Sequence, residues 1–102
     1  MFQQAPGQKI SVEQILKSVA AVFQVRVSDL KGSVRTKDVA LPRQVAMYLA
    51  WKWIKESLQV LGLSFGKTHS TILHACKSIE KKIAGDDTLR RQISMVERSI
   101  SS

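Results

Sequence analysis

Residues 58–83 read LQVLGLSFGKTHSTILHACKSIEKKI, and the fold turns on how this stretch is divided. Leu58, Val60, Leu61 and Phe65 make a brief apolar helix that runs into Gly66. A second helix opens near Thr68 and carries Ile72, Leu73, Cys76, Ile79 and Ile83 at helical spacing as its buried stripe. Two helices joined across a tight glycine turn predict a helix-turn-helix. The second opens with Thr68, His69, Ser70 and Thr71, where the leading backbone amides have no partner within the helix. Hydroxyls that donate or accept, beside amides and a dipole that attract anions, suit both phosphate groups and base edges.

Working outward, Val12, Ile15, Leu16, Val19, Ala20 and Phe23 form one apolar face, and Ser11 with Gln14 makes a capping box, which predicts a helix over Ser11–Gln24. Ser28 and Asp29 start a short helical turn that Gly32 ends. Residues 33–38 hold Arg35 and Lys37 with little to bury, and read as an exposed basic loop. Pro42 suits the first turn of the next helix, and from Val45 to Ile54 nearly every residue is apolar, so this helix should be surrounded by the others. Tyr48, Trp51 and Trp53 fit core packing there better than base stacking. After Gly85, Asp86 and Asp87, the spacing of Leu89, Ile93, Val96 and Ile100 predicts a last helix packed back on the bundle. The expected fold is all-α: a compact helical bundle containing a helix-turn-helix with an adjacent basic loop. Residues 9–102 read as its single domain, and residues 1–8, MFQQAPGQ, as a flexible lead or cloning remnant.

The chain carries a formal charge of +8 and a pI near 10.1, which favours a polyanionic partner. Residues 31–82 hold ten basic groups against three acidic ones, so the excess sits in the segment around the helix-turn-helix. No apolar run is long enough to cross a bilayer and the first residues do not resemble a signal peptide, so a membrane is not the expected primary partner. The lone Cys76 makes no internal disulfide and reads as a small core residue. His69, His74 and Cys76 are metal-type ligands, but a fourth is missing and the spacing fits no common zinc site. Gly66, Lys67 and Thr68 mimic the tail of a phosphate-binding P-loop, yet the glycine that motif needs upstream is Leu61. With no carboxylate pair and no nucleophile beside a base, the sequence gives no reason to expect an enzyme.

The run Leu61–Ile79, LGLSFGKTHSTILHACKSI, resembles the signature of the C-terminal DNA-binding domain of the bacterial chromosomal replication initiator DnaA. Residues 39–49, VALPRQVAMYL, resemble that family's helix after its basic loop, and the likeness extends over residues 9–102. It implies sequence-specific binding of double-stranded DNA at replication-origin boxes, which anchors the initiator. In that mode Thr68, His69 and Ser70 read the major groove and Arg35 enters the neighbouring minor groove. Lys37, Arg43, Gln44 and Thr71 contact phosphates, with Lys67 added to them. A cytoplasmic, nucleoid-associated domain, monomeric in isolation, is implied, with regulatory proteins as further partners on the DNA-binding face. The family's ATP-binding module lies upstream and nothing like it is present here, so no cofactor is expected. The chain departs from the family pattern in having Thr68 for Asp, a turn one glycine shorter, Lys67 for Arg, Trp51 for Lys and Gln59 for Pro. A stand-alone helix-turn-helix transcription regulator, or DNA-architectural protein, and a helical protein-interaction module are the alternatives.

Overall fold

The computed structural model describes residues 10–32, 37–54 and 56–101. Residues 1–8 and the basic-loop residue Arg35 lie outside the described residues, as does the side chain of Lys37.

Helix α1 (Val12–Phe23) begins at the capping box: Ser11 Oγ accepts from the Gln14 amide at 3.2 Å, and Gln14 Oε1 accepts from the Ser11 amide at 2.8 Å. These two bonds satisfy amides that the first turn would leave unpaired. Gln24 ends the helix in the left-handed region, at φ 58°. Ile15, Leu16, Val19 and Ala20 form its buried face. Helix α2 (Val27–Lys31) is five residues long and buries Leu30. Its first turn is steadied by Asp29, whose carboxylate accepts from the Arg26 amide at 3.4 Å.

Helix α3 (Lys37–Trp53) is the central post, in contact with α1, α2, α4 (Leu58–Phe65) and α5 (His69–Ile83). Val45, Ala46, Met47, Leu49 and Ala50 are buried, on more than one side of the helix, as expected of an element enclosed by neighbours. Its start corrects the sequence reading. Pro42 is the sixth residue of α3 rather than part of its first turn, and Lys37 and Asp38 belong to the helix and not to the loop. Asp38 complements the positive end of the helix dipole, which favours this earlier start. Pro42 withholds an amide from the Asp38 carbonyl, but Asp38 is exposed, so the loss falls near the helix end where water can compensate.

The far end of α3 also differs from expectation. Trp51 and Trp53 are 43% and 39% exposed rather than core residues, whereas Tyr48 is partly buried against the core. The last turn outruns the enclosing helices, and its polar groups meet α6 (Asp87–Ser101) instead. There Glu97 accepts from Lys52 Nζ at 2.9 Å and from Trp53 Nε1 at 3.2 Å.

Helix α6 packs mainly on α1 and also touches α5. Asp86 caps its start by accepting from the Leu89 amide at 2.9 Å, and Leu89, Ile93, Val96 and Ile100 are all buried. They join α1, α3, α4 and α5 in one apolar cluster. Each large aliphatic side chain fully buried there contributes about 1.5–3 kcal/mol against exposure. Among the described residues no helix is long and apolar enough to cross a membrane.

Candidate nucleic-acid interface

Helices α4 and α5 form the helix-turn-helix. Ser57 caps α4 by accepting from the Val60 amide at 3.2 Å, and Leu61 and Phe65 anchor the helix in the core. Val60, expected in the apolar face, is 42% exposed. The helix stops at Gly66, whose φ of 68° is a conformation a side chain would strain. Two bonds close this end: the Lys67 amide donates to Gly62 O at 2.8 Å and the Gly66 amide to Leu63 O at 3.2 Å.

Gly62 sets how closely α4 meets the turn. A Cβ at that position would fall 2.5 Å from Lys67 O, 3.3 Å from the Thr68 carbonyl carbon and 3.4 Å from the His69 amide nitrogen. The body of α4 therefore rests directly on the backbone that leads into α5. Any side chain there would push the start of α5 away.

Thr68 is the N-cap of α5: its hydroxyl accepts from the Thr71 amide at 3.3 Å and lies 3.1 Å from the Thr71 hydroxyl. Thr68, His69, Ser70 and Thr71 are all exposed. One turn on, Ile72, Ala75, Cys76 and Ile79 are buried and hold α5 against α3, while Leu73 and Ile83 are only half-buried. The first turn of α5 is thus a set of hydrogen-bonding groups in solvent, on a helix whose other face is fixed.

This turn opens onto a cleft between α3 and α5. Arg43, Gln44 and Met47 line one side, and Lys67, Ser70, Thr71 and His74 the other. Ser78 Oγ and Gln44 Oε1 lie 3.5 Å apart at its foot. Of the residues singled out in the sequence, Arg43, Gln44, Lys67, Ser70 and Thr71 come together here. Thr68 and His69 stand next to them at the helix end. Lys77, Lys81 and Lys82 are exposed farther along α5.

Arg43 has an environment that its sequence position does not announce. Only 9% exposed, it donates from Nε to Leu30 O at 3.2 Å and from Nη2 to Asp29 O at 2.7 Å. Its guanidinium thereby joins α3 to the last turn of α2.

In the sequence His74 reads only as one of three metal-type side chains and carries no DNA contact, yet it lines the cleft. The available signal was its place four residues after Ser70 and four before Ser78, on one helix face. Gly62 was also missed, although a glycine inside an apolar helix marks a close backbone approach. Cys76 is buried beside Met47 O, and burial pushes its thiol up to about 11, with Glu80 adding to the rise. Such a thiol is held in its neutral, unreactive form. With Cys76 buried and both histidines exposed, the trio does not converge. Among the described residues no group of three or more His, Cys, Asp or Glu is placed to hold a metal ion.

A short helix, a tight glycine turn and a second helix with a bare amino end define a helix-turn-helix domain. The chain belongs to the bacterial DnaA protein helix-turn-helix family, whose model matches residues 12–79. It is 79% identical over all 102 residues to chromosomal replication initiator protein DnaA 1 of Protochlamydia amoebophila, and spans 23% of that protein. It is 56% identical over 100 residues, or 98% of the chain, to DnaA 2 of Chlamydia pneumoniae, of which it covers 22%. With the chromosomal replication initiator DnaA of Citrifermentans bemidjiense it shares 42% identity over 92 residues, 89% of the chain and 20% of that protein. The chain thus spans less than a quarter of the length of these relatives.

Proposed function

We propose that this domain binds double-stranded DNA sequence-specifically at replication-origin boxes and anchors an initiator there. The first turn of α5 enters the major groove, where Thr68, His69 and Ser70 meet base edges. Arg35, from the basic loop, enters the adjoining minor groove, whose potential is most negative where it is narrow and A·T-rich. Lys37, Arg43, Gln44, Lys67 and Thr71 contact the phosphates that fix the register. The observation that carries the reading is that the exposed amino end of α5 shares one open cleft with Arg43, Gln44 and Lys67, on a strongly basic chain.

This reading needs no cofactor and no catalytic step. The domain acts as a monomer on cytoplasmic, nucleoid-associated DNA, and regulatory proteins reach the same face. Selection from a random duplex pool tests it. A single enriched motif, bound with a strong salt dependence, is the expected result. Binding without sequence preference would leave a helical interaction module as the better description, and the enriched motif's absence from replication origins would favour a transcription regulator.

A further inference from the structure

The cleft between α3 and α5 is lined by side chains that can donate hydrogen bonds: Arg43, Lys67, Ser70, Thr71 and His74. Among the described residues no carboxylate lines it. Gln44 is the ambiguous member, since its amide offers a donor at Nε2 and an acceptor at Oε1, and only the first suits a phosphate oxygen. Nothing in the sequence says which end faces outward. In the fold Ser78 decides this from the opposite wall. Its hydroxyl donates to Gln44 Oε1 at 3.5 Å, between part-buried side chains 34 positions apart. Ser78 lies about two turns beyond Thr71 on α5, where a serine hydroxyl commonly bonds back to its own helix, but here it crosses to α3. With the oxygen engaged at the foot of the cleft, Nε2 is the end of the planar amide left to donate. The same bond restrains a side chain whose rotamer freedom DNA binding would otherwise have to remove.

We propose that Ser78 is a positioning residue for Gln44: it engages the amide oxygen, so that Nε2 is presented to the DNA phosphate in the cleft. The inference rests on the DNA-binding reading above, in which Gln44 contacts a phosphate. At 3.5 Å the bond is long, so its effect should be modest. With the whole chain and a duplex selected from a random pool, Ser78→Ala is expected to weaken binding about threefold. A scrambled duplex should lose as much, since a phosphate contact carries no sequence information. The salt slope should be kept, because neither Ser78 nor Gln44 is charged. In a Gln44→Ala background the same change should cost less than about 1.5-fold, whereas in a Thr71→Ala background the full cost should persist. A general loss of structure would not distinguish those two backgrounds. Unchanged binding, equal costs in both backgrounds, or a loss confined to the selected duplex overturns the proposal.

Alanine is the better helix former, so Ser78→Ala should keep its fold, and a marked fall in its melting temperature would make Ser78 a structural residue instead. A measurement without DNA adds a second way to fail. Nitrogen relaxation of the Gln44 side-chain amide should show restricted motion in the unaltered chain and freer motion in Ser78→Ala, and equal motion in both overturns the link. If the unaltered chain binds no duplex, the DNA-binding reading fails and this role with it, while the relaxation data still report whether the link exists.

Discussion

The two walls of the cleft are fixed by different means. At the α4–α5 turn the backbone does the fixing: Gly62 allows contact with Lys67 O, Gly66 takes a positive φ, and two backbone bonds close the corner. At the α2–α3 end a single side chain, Arg43, holds two carbonyls across elements. A corner held by backbone leaves few ways to relax, whereas an anchor held by one guanidinium is lost when that group is removed. The comparison therefore predicts that changes at the turn spread to the whole of α5, while changes at the α2 end stay local to α2 and its contact with α3.

The largest effect should come from Gly62→Ala. A methyl group would have to share space with Lys67 O, and relief requires backbone movement, which costs about 1–3 kcal/mol in packed sites. Circular dichroism melting should show the loss, and duplex titration should show specific binding reduced at least tenfold even where the chain remains folded. An unshifted melting curve with intact binding would mean that the corner is not tight. His69→Ala comes next, and should cost on the order of 1–3 kcal/mol on the selected duplex and flatten its discrimination. Because His69 is exposed and its side chain makes no hydrogen bond among the described residues, the melting temperature of His69→Ala should hardly change; a large drop would make the residue structural.

Thr68→Ala tests a residue with two tasks. Removing the cap should cost about 1 kcal/mol of stability, while Thr68→Asp restores a good cap and replaces a hydroxyl by an acceptor-only carboxylate. Selection with both variants should show stability recovered in Thr68→Asp with the preferred base changed, and an unaltered motif would confine Thr68 to capping. The smallest effect is a pH dependence. The Cys76 thiol is raised from 9.0 to about 11 in the fold, so the folded state holds its proton longer than the unfolded state. Stability should be level below about pH 9 and then fall as pH rises toward about 11, and Cys76→Ala should remove that part of the slope.

What the sequence showed in advance depended on how local the determinant was. The Ser11–Gln14 capping box, the glycine stop at Gly66, and the Leu89, Ile93, Val96 and Ile100 stripe are each written within a few turns of chain, and the fold follows them. Trp51 and Trp53 misled because apolarity at helical spacing says nothing about where a helix outruns its neighbours. Pro42 misled because a proline favours the first turn without being confined to it. The cleft residues Lys67, Ser70 and Thr71 were legible through their position around the turn and their family likeness, and Gln44 through the family likeness alone. The Arg43 anchor was not, since its acceptors are backbone carbonyls thirteen and fourteen residues away that no spacing rule marks.

If the domain binds duplex as proposed, DNA meets the bare first turn of α5. Titrating the isotopically labelled chain with its selected duplex and following backbone amide resonances tests it most directly. The largest shifts are expected at Lys67 to Thr71 and at Arg43 and Gln44, with α6 little changed. Shifts concentrated on α6 or around Trp51 and Trp53, with Lys67 to Thr71 unmoved, would contradict it.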